Sequence, residues 1–144
     1  MADIRGMKVN KDIYDFETRI YRLYDNLPAK HRHTLSRVLL ERTLEMRHYT
    51  NLGCDMGKDF IAQKAQLFSL ALGFERDVQE SLDHLCDLGF ISIKTKSSLD
   101  VDLACIREQL LKVGNSFSKQ LKGSARSEHA DCGEPIEKEE GLLL

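Results

Sequence analysis

The side chains of this sequence that could do chemistry are its five histidines, four cysteines and paired carboxylates, and their spacing argues against each chemistry in turn. His31 and His33 are close, but two steps along a helix rotate by about 200°, so they diverge and cannot chelate one ion from regular helix. No carboxylate or cysteine four residues on completes a ligand set, and His48 and His84 stand alone. Cys54, Cys86, Cys105 and Cys132 lie 32, 19 and 27 residues apart, without the two-to-four spacing of zinc or redox dithiol sites. Glu41 with Glu45 and Asp83 with Asp87 sit at i, i+4, a pairing that chance supplies among 17 acidic residues on four helices. Acid–base work by such pairs would also need a cleft. Nucleophile motifs, a phosphate-cradling glycine loop and an HExxH zinc motif are absent. The sequence therefore predicts no enzyme, no metal and no cofactor.

Charge carries more information. Residues 1–127 hold 20 basic and 17 acidic side chains, and 128–144 hold one and six, so a mildly basic body is masked by an acidic end. Lys112, Lys119 and Arg126 repeat every seven residues with Lys122 beside them, on the side of their helix turned away from Leu110, Val113 and Phe117. That makes an outward cationic ridge suited to phosphates. Lys30, His31, Arg32, His33 and Arg37 form a second basic group. The plainer reading is that both merely solvate a polar face. Arg32, Arg37, Arg42 and Arg47, spaced by five, turn by about 140° per step and form no single stripe. Arg42 falls near the apolar seam, where its head group needs a carboxylate or an adjoining subunit.

Helices must position these groups. The chain of 144 residues has two prolines and nine glycines among abundant Leu, Lys, Arg, Glu, Asp and Ala, a helix-forming composition. Ile13, Phe16, Ile20, Leu23 and Leu27 step by 3 and 4, predicting a helix over 11–27. Pro28 suits the first turn of a second helix over 28–52, which carries Leu35, Val38, Leu39, Leu44, Met46, Tyr49 and Leu52 and stops at Gly53. Leu67, Ala71, Phe74, Val78, Leu85 and Leu88 mark a third over 58–88, ended by Gly89 with Phe90 packing back; Gly73 is its weak point. Ser97 and Asp100 resemble a capping box that opens a fourth helix over 98–122. Its stripe is Leu99, Leu103, Ile106, Leu110, Val113, Phe117 and Leu121. Short connections make sequential neighbours antiparallel, so the expected fold is all-α: an up-down antiparallel four-helix bundle over 11–122. A flexible segment over 1–10 precedes it and a disordered acidic tail over 123–144 follows. No signal-like start and no membrane-length apolar run is present, so a soluble cytoplasmic protein is expected.

Two stretches resemble a known group. LYDNLPAKHRHTLSRVLLERTLEM joins helices one and two; LDHLCDLGFISIKTKSSLDVDLACIREQLLKVGNSFSKQLKG runs from late helix three onward. They are similar to the accessory variability determinant proteins of diversity-generating retroelements and, more distantly, to the bundle proteins encoded in intervening sequences of bacterial large-subunit ribosomal RNA. The likeness covers about residues 12–122 and rests on Leu27, Pro28, Lys30, Arg32, Thr34 and Leu35, on Leu88 to Ser92, and on Val113 with Gly114. Where that family often has a Gly-Trp pair late in helix four, this chain has Lys119 and Gln120 and no tryptophan. The resemblance implies a ring-shaped homopentamer without chemistry of its own, binding the element's reverse transcriptase together with RNA or DNA during error-prone copying. Nucleic-acid contacts would fall to Lys30, His31, Arg32, His33, Arg37, Lys112, Lys119, Lys122 and Arg126, and Arg42 would face a neighbouring subunit. The acidic tail, tethered after Arg126, could occupy the ridge as a competing polyanion. The other class the sequence allows is a self-assembling structural bundle with a protein partner only.

Overall fold

The structure, a computed structural model, describes residues 8–31 and 35–132; for His31 and for 124–132 it describes the backbone alone. Four α-helices follow one another: α1 (Lys8–Asn26), α2 (Leu35–Asp55), α3 (Ile61–Asp87) and α4 (Ile93–Cys132), with one 3₁₀ turn at Ala29–His31. They form a four-helix bundle in which α1 packs on α2 and α4, and α3 packs on α2 and α4. Cross-helix partners fix the directions. Asn10 pairs with Asn51 and Glu17 with Arg47; Gly53 lies against Phe68 and Tyr49 against Phe74. Glu75 pairs with Arg107 and Asp83 with Lys96; Asp12 pairs with Gln109 and Arg19 with Asp102. In every pair one number rises as the other falls, so each neighbouring pair is antiparallel.

α1 buries Val9, Ile13, Phe16 and Ile20. Because Val9 is fully buried, the helix begins three residues before the expected Lys11, inside the segment expected to be flexible; residues 1–7 of that segment lie outside the described residues. α1 stops at Asn26 because Pro28 disfavours helical geometry at the residue before it. The expectation that Pro28 opens the second helix is corrected: a 3₁₀ turn intervenes and α2 starts at Leu35.

The seam of α2 also differs from the expected one. Ser36, Leu39, Thr43, Met46, Thr50, Gly53 and Cys54 are buried, whereas Val38 and Leu52 are 39% and 40% exposed. The 3,4 spacing is kept, but hydroxyls stand at positions where an apolar search expects leucine. Thr43 and Thr50 donate to the carbonyls of Leu39 and Met46, both at 2.8 Å, which satisfies them inside their own helix. Gly53 is not a stop, since α2 continues to Asp55. A Cβ there would lie 2.8 Å from the Phe68 ring, so glycine is required by close packing.

α3 buries Lys64, Phe68, Ala71, Glu75, Val78, Leu82 and Leu85, a strict 4,3 repeat containing two charges; Leu88 is exposed. Gly89 ends it as expected, with φ +80°. Its N–H donates to Cys86 and that of Phe90 to Leu85, the paired bonds of a Schellman stop. Helix four begins earlier than Ser98: the Ser92 hydroxyl accepts the Thr95 N–H at 3.0 Å, which makes Ser92 the N-cap. Leu99, Leu103, Ile106, Leu110 and Phe117 are buried as expected. The α4 backbone stays helical through Cys132; residues 133–144, where most of the expected tail falls, lie outside the described residues. At 40 residues α4 spans about 60 Å. No helix of the described residues is long and apolar enough to cross a membrane.

Candidate nucleic-acid interface

α4 presents Leu110 and Phe117 inward, so the positions half a turn away must face water. Lys112, Lys119 and Lys122 are all exposed there, and no ion pair engages them among the described residues. The side chain of Arg126 lies outside the described residues. The α1–α4 register adds two cations that sequence reasoning missed. Gln109 donates to Asp12 at 2.7 Å, which brings Lys8 and Lys11 level with Gln109 and Lys112. Lys8 is 71% exposed and sits 3.4 Å from Asp12; the hydrogen bond to that carboxylate raises its pKa. Asp15 and Glu108 are exposed nearby and break the positive field locally. The signal that could have found Lys8 and Lys11 is antiparallel pairing itself, which sets the start of α1 beside the second half of α4.

The second basic group is elsewhere. Lys30 is exposed in the 3₁₀ turn, and Arg37 is exposed but bonded to Glu41 at 3.1 Å. Arg32, His33 and the side chain of His31 lie outside the described residues. This turn follows the end of α1 and so lies at the pole where α4 begins, whereas Lys112, Lys119 and Lys122 lie toward the other pole. The rise of α4 between those levels is roughly 30–40 Å. The two groups are therefore not one surface within a chain.

Arg42 has its partners within the chain. Its Nη1 lies 3.4 Å from Glu45 Oε1, and its guanidinium lies 5.9 Å from the Phe74 ring centroid, a cation–π distance. Of the two partners expected for it, the carboxylate is present, and a subunit contact is not needed to explain its position. The ring under it is partly buried against the core, as is Tyr49, which stacks on it at 5.3 Å; the exposed Leu70 lies one turn before Phe74, and the exposed Val38 and Leu52 flank Arg42 and Tyr49 along α2.

Three of the four candidate acids are occupied structurally, and Asp87 is exposed. Glu41 and Glu45 hold arginines, and Asp83 accepts from Lys96 at 3.0 Å. Lys96 also reaches Asp100 at 2.6 Å, and hydrogen bonds to Asp100 and Asp83 raise its pKa. Burial pushes the Asp100 carboxyl up, but hydrogen bonds from Lys96 and Gln79 outweigh it and hold the group below its ordinary range. The Glu75 carboxylate, buried on α3, accepts two bonds from Arg107 at 2.9 and 3.0 Å, which raise the Arg107 pKa. Glu75 and Arg107, with Gln79 beside them, line a groove of about 410 Å³ between α3 and α4. Among the described residues no cluster of three or more His, Cys, Asp or Glu could hold a metal ion. No protein-family model matches the chain, and no curated protein matches it.

Proposed function

We propose that this chain is a non-catalytic accessory protein of a diversity-generating retroelement, binding the element's reverse transcriptase and its template RNA or cDNA in the cytoplasm as a homo-oligomer, a pentamer by resemblance. The carrying observation is the row of exposed lysines Lys112, Lys119 and Lys122, joined by Lys8 and Lys11, with no ion pair on the three α4 lysines among the described residues. Three exposed ammonium groups along the outer side of α4 suit phosphate contacts without base readout. The sequence likeness at Leu27–Leu35, Leu88–Ser92 and Val113–Gly114 is what supports this family, and a four-helix bundle is compatible with it.

Titrating a labelled RNA at two salt concentrations tests this reading. Each phosphate neutralised contributes about 0.7–0.9 to the slope of log K against log salt, so Lys112→Glu with Lys119→Glu should lower that slope by roughly 1.5 while circular dichroism stays unchanged. Indistinguishable weak binding by both proteins would remove the lysine surface as a nucleic-acid site.

A second reading has its own observation. The exposed stripe of Val38, Leu52 and Leu70 around Tyr49 and Phe74 suits a protein contact, which favours a self-assembling structural bundle with a protein partner only, as in the intervening-sequence proteins. Light scattering together with the RNA titration separates the two. Assembly without salt-dependent RNA binding supports the structural bundle, and a monomer mass across a wide concentration range removes the oligomer from both.

A further inference from the structure

α1 and α4 bring an amine and a thiol together on one wall of the bundle. Gln109 donates to Asp12 and Arg19 pairs with Asp102, which sets the start of α1 against the middle of α4. The two helices leave a groove of about 330 Å³ lined by Lys8, Asp12, Asp15, Phe16, Asp102 and Cys105. Within it the Lys8 ammonium donates to the Cys105 sulfur at 3.8 Å, between residues 97 apart in the chain. Asp12 touches both groups: its Oδ2 lies 3.4 Å from Lys8 Nζ and 3.9 Å from Cys105 Sγ. Gln109 Nε2 lies 3.5 Å from the same sulfur.

The other described thiols lack this company. Cys54 is buried and donates to Asn10, and Cys86 is half-buried with no lysine bonded to its sulfur among the described residues. Cys105 is half-buried in an open groove, which admits a molecule as small as dioxygen. Lys8 is 71% exposed, so its side chain has room to close the remaining gap to sulfur. A thiol alone climbs from sulfenic to sulfinic and sulfonic acid, whereas one beside a nitrogen nucleophile can be captured as a reversible cap.

We propose that Lys8 and Cys105 form a redox-reversible covalent bridge, Nζ–O–Sγ, with dioxygen as the oxidant. One ammonium proton passes to Asp12 and on to water, which frees the nitrogen lone pair. An N–O and an S–O bond form and the O–O bond breaks. One oxygen stays in the bridge; the other leaves as water with two of the three hydrogens of the thiol and amine, and the third remains on nitrogen. Sulfur and nitrogen each lose two electrons, and these four reduce the dioxygen. Two equivalents of a dithiol return the thiol and the amine and release the bridging oxygen as water. The bridge staples the start of α1 to α4. Because nitrogen bonded to oxygen is weakly basic, it also removes the Lys8 charge from the flank that carries Lys112, whether that flank meets RNA or a protein.

Intact mass and peptide mapping of the full chain, kept reduced or held in oxygenated buffer, test the proposal. The oxygenated chain should gain one oxygen and lose two hydrogens, the change should map to a peptide pair joining Lys8 to Cys105, and dithiothreitol should reverse it. Lys8→Arg and Cys105→Ser, each folded by circular dichroism, should show no such gain. A chain unchanged by oxygen, a Cys105 carried to sulfinic or sulfonic acid beside an unmodified Lys8, a direct S–N link without oxygen, or the same gain in either variant would each overturn it. Thermal melts give a readout independent of mapping. The bridged chain should melt above the same chain after dithiothreitol, because the link constrains the unfolded state, and a difference that persists in Cys105→Ser would count against the bridge.

Discussion

α3 is held on its two flanks by different means. Toward α2 the contact is made of rings and a glycine: Phe74 stacked on Tyr49 with 5° between planes, and Phe68 seated on Gly53. Toward α4 a ring contact, Phe68 against Phe117 at 5.6 Å, is joined by charge, with Glu75 bonded twice to Arg107 and Lys96 spanning Asp83 and Asp100. Apolar contact rewards burial in many nearby registers, whereas a bidentate carboxylate–guanidinium pair rewards one. Apolar contact thus gives cohesion on both flanks, and the charged pairs add longitudinal register on the second.

The largest effect should come from the ring side. Phe68→Ala removes a fully buried ring that lies against both Gly53 and Phe117 and should cost about 3–5 kcal/mol by urea denaturation; a loss under about 1 kcal/mol would place the cohesion elsewhere. On the charged side Glu75→Ala should cost less, about 2 kcal/mol, because the Arg107 side chain it strands is 40% exposed and can rehydrate. Replacing both partners, Glu75→Met with Arg107→Met, should restore most of that stability. A double variant as unstable as the single one would mean that the pair contributes cohesion and not register.

Two glycines sharpen the same contrast. Gly53→Ala pushes a methyl into the Phe68 ring and should destabilise by about 1–2 kcal/mol. Gly73→Ala meets open space and should stabilise by about 0.5–1 kcal/mol. Thermal melts of both report whether α2 and α3 pack as closely as the rings indicate. The smallest effect is the pH response of the charged flank. The Asp100 carboxyl is held below its ordinary value of 3.8 in the folded chain, so its contribution is present above that value and is lost as pH falls through the lower folded one. Lys96 is held above its ordinary 10.5, so its contribution is full below 10.5 and is lost as pH rises beyond. Asp100→Asn should flatten the acid limb of a stability–pH curve, and an unchanged limb would assign it to other carboxylates.

How legible each helix is in the sequence follows from the same chemistry. Apart from Glu17, which α1 buries against Arg47, the seams of α1 and α4 are written in Ile, Leu, Val and Phe and can be read from spacing alone, as can the Gly89 stop. Those of α2 and α3 contain Ser36, Thr43, Thr50, Lys64 and Glu75, so a search for apolar periodicity drifts onto Val38, Leu52 and Leu88, which are exposed. Hydroxyls that bond their own helix, a carboxylate held by Arg107 and an ammonium set over the Phe117 ring occupy core positions without looking hydrophobic. Gly53 has the composition of a stop and the role of a close contact. Ser97 matches a capping pattern, but Ser92 supplies the bond that caps α4. At the candidate site, the outward direction of Lys112, Lys119 and Lys122 follows from the wheel of one helix. The company of Lys8 and Lys11, and the distance of Lys30 and Arg37, depend on pairing between helices, which no single helix encodes.

The two basic poles set a length scale for any polyanion that engages both. Duplex rise is about 3.4 Å per base pair, so the roughly 30–40 Å rise of α4 between them corresponds to about 9–12 base pairs laid along the bundle. An oligonucleotide shorter than that occupies one pole of a given chain, and affinity measured against oligonucleotide length should therefore climb in a step and not smoothly. The position of the step is a ruler for the helix that separates the poles.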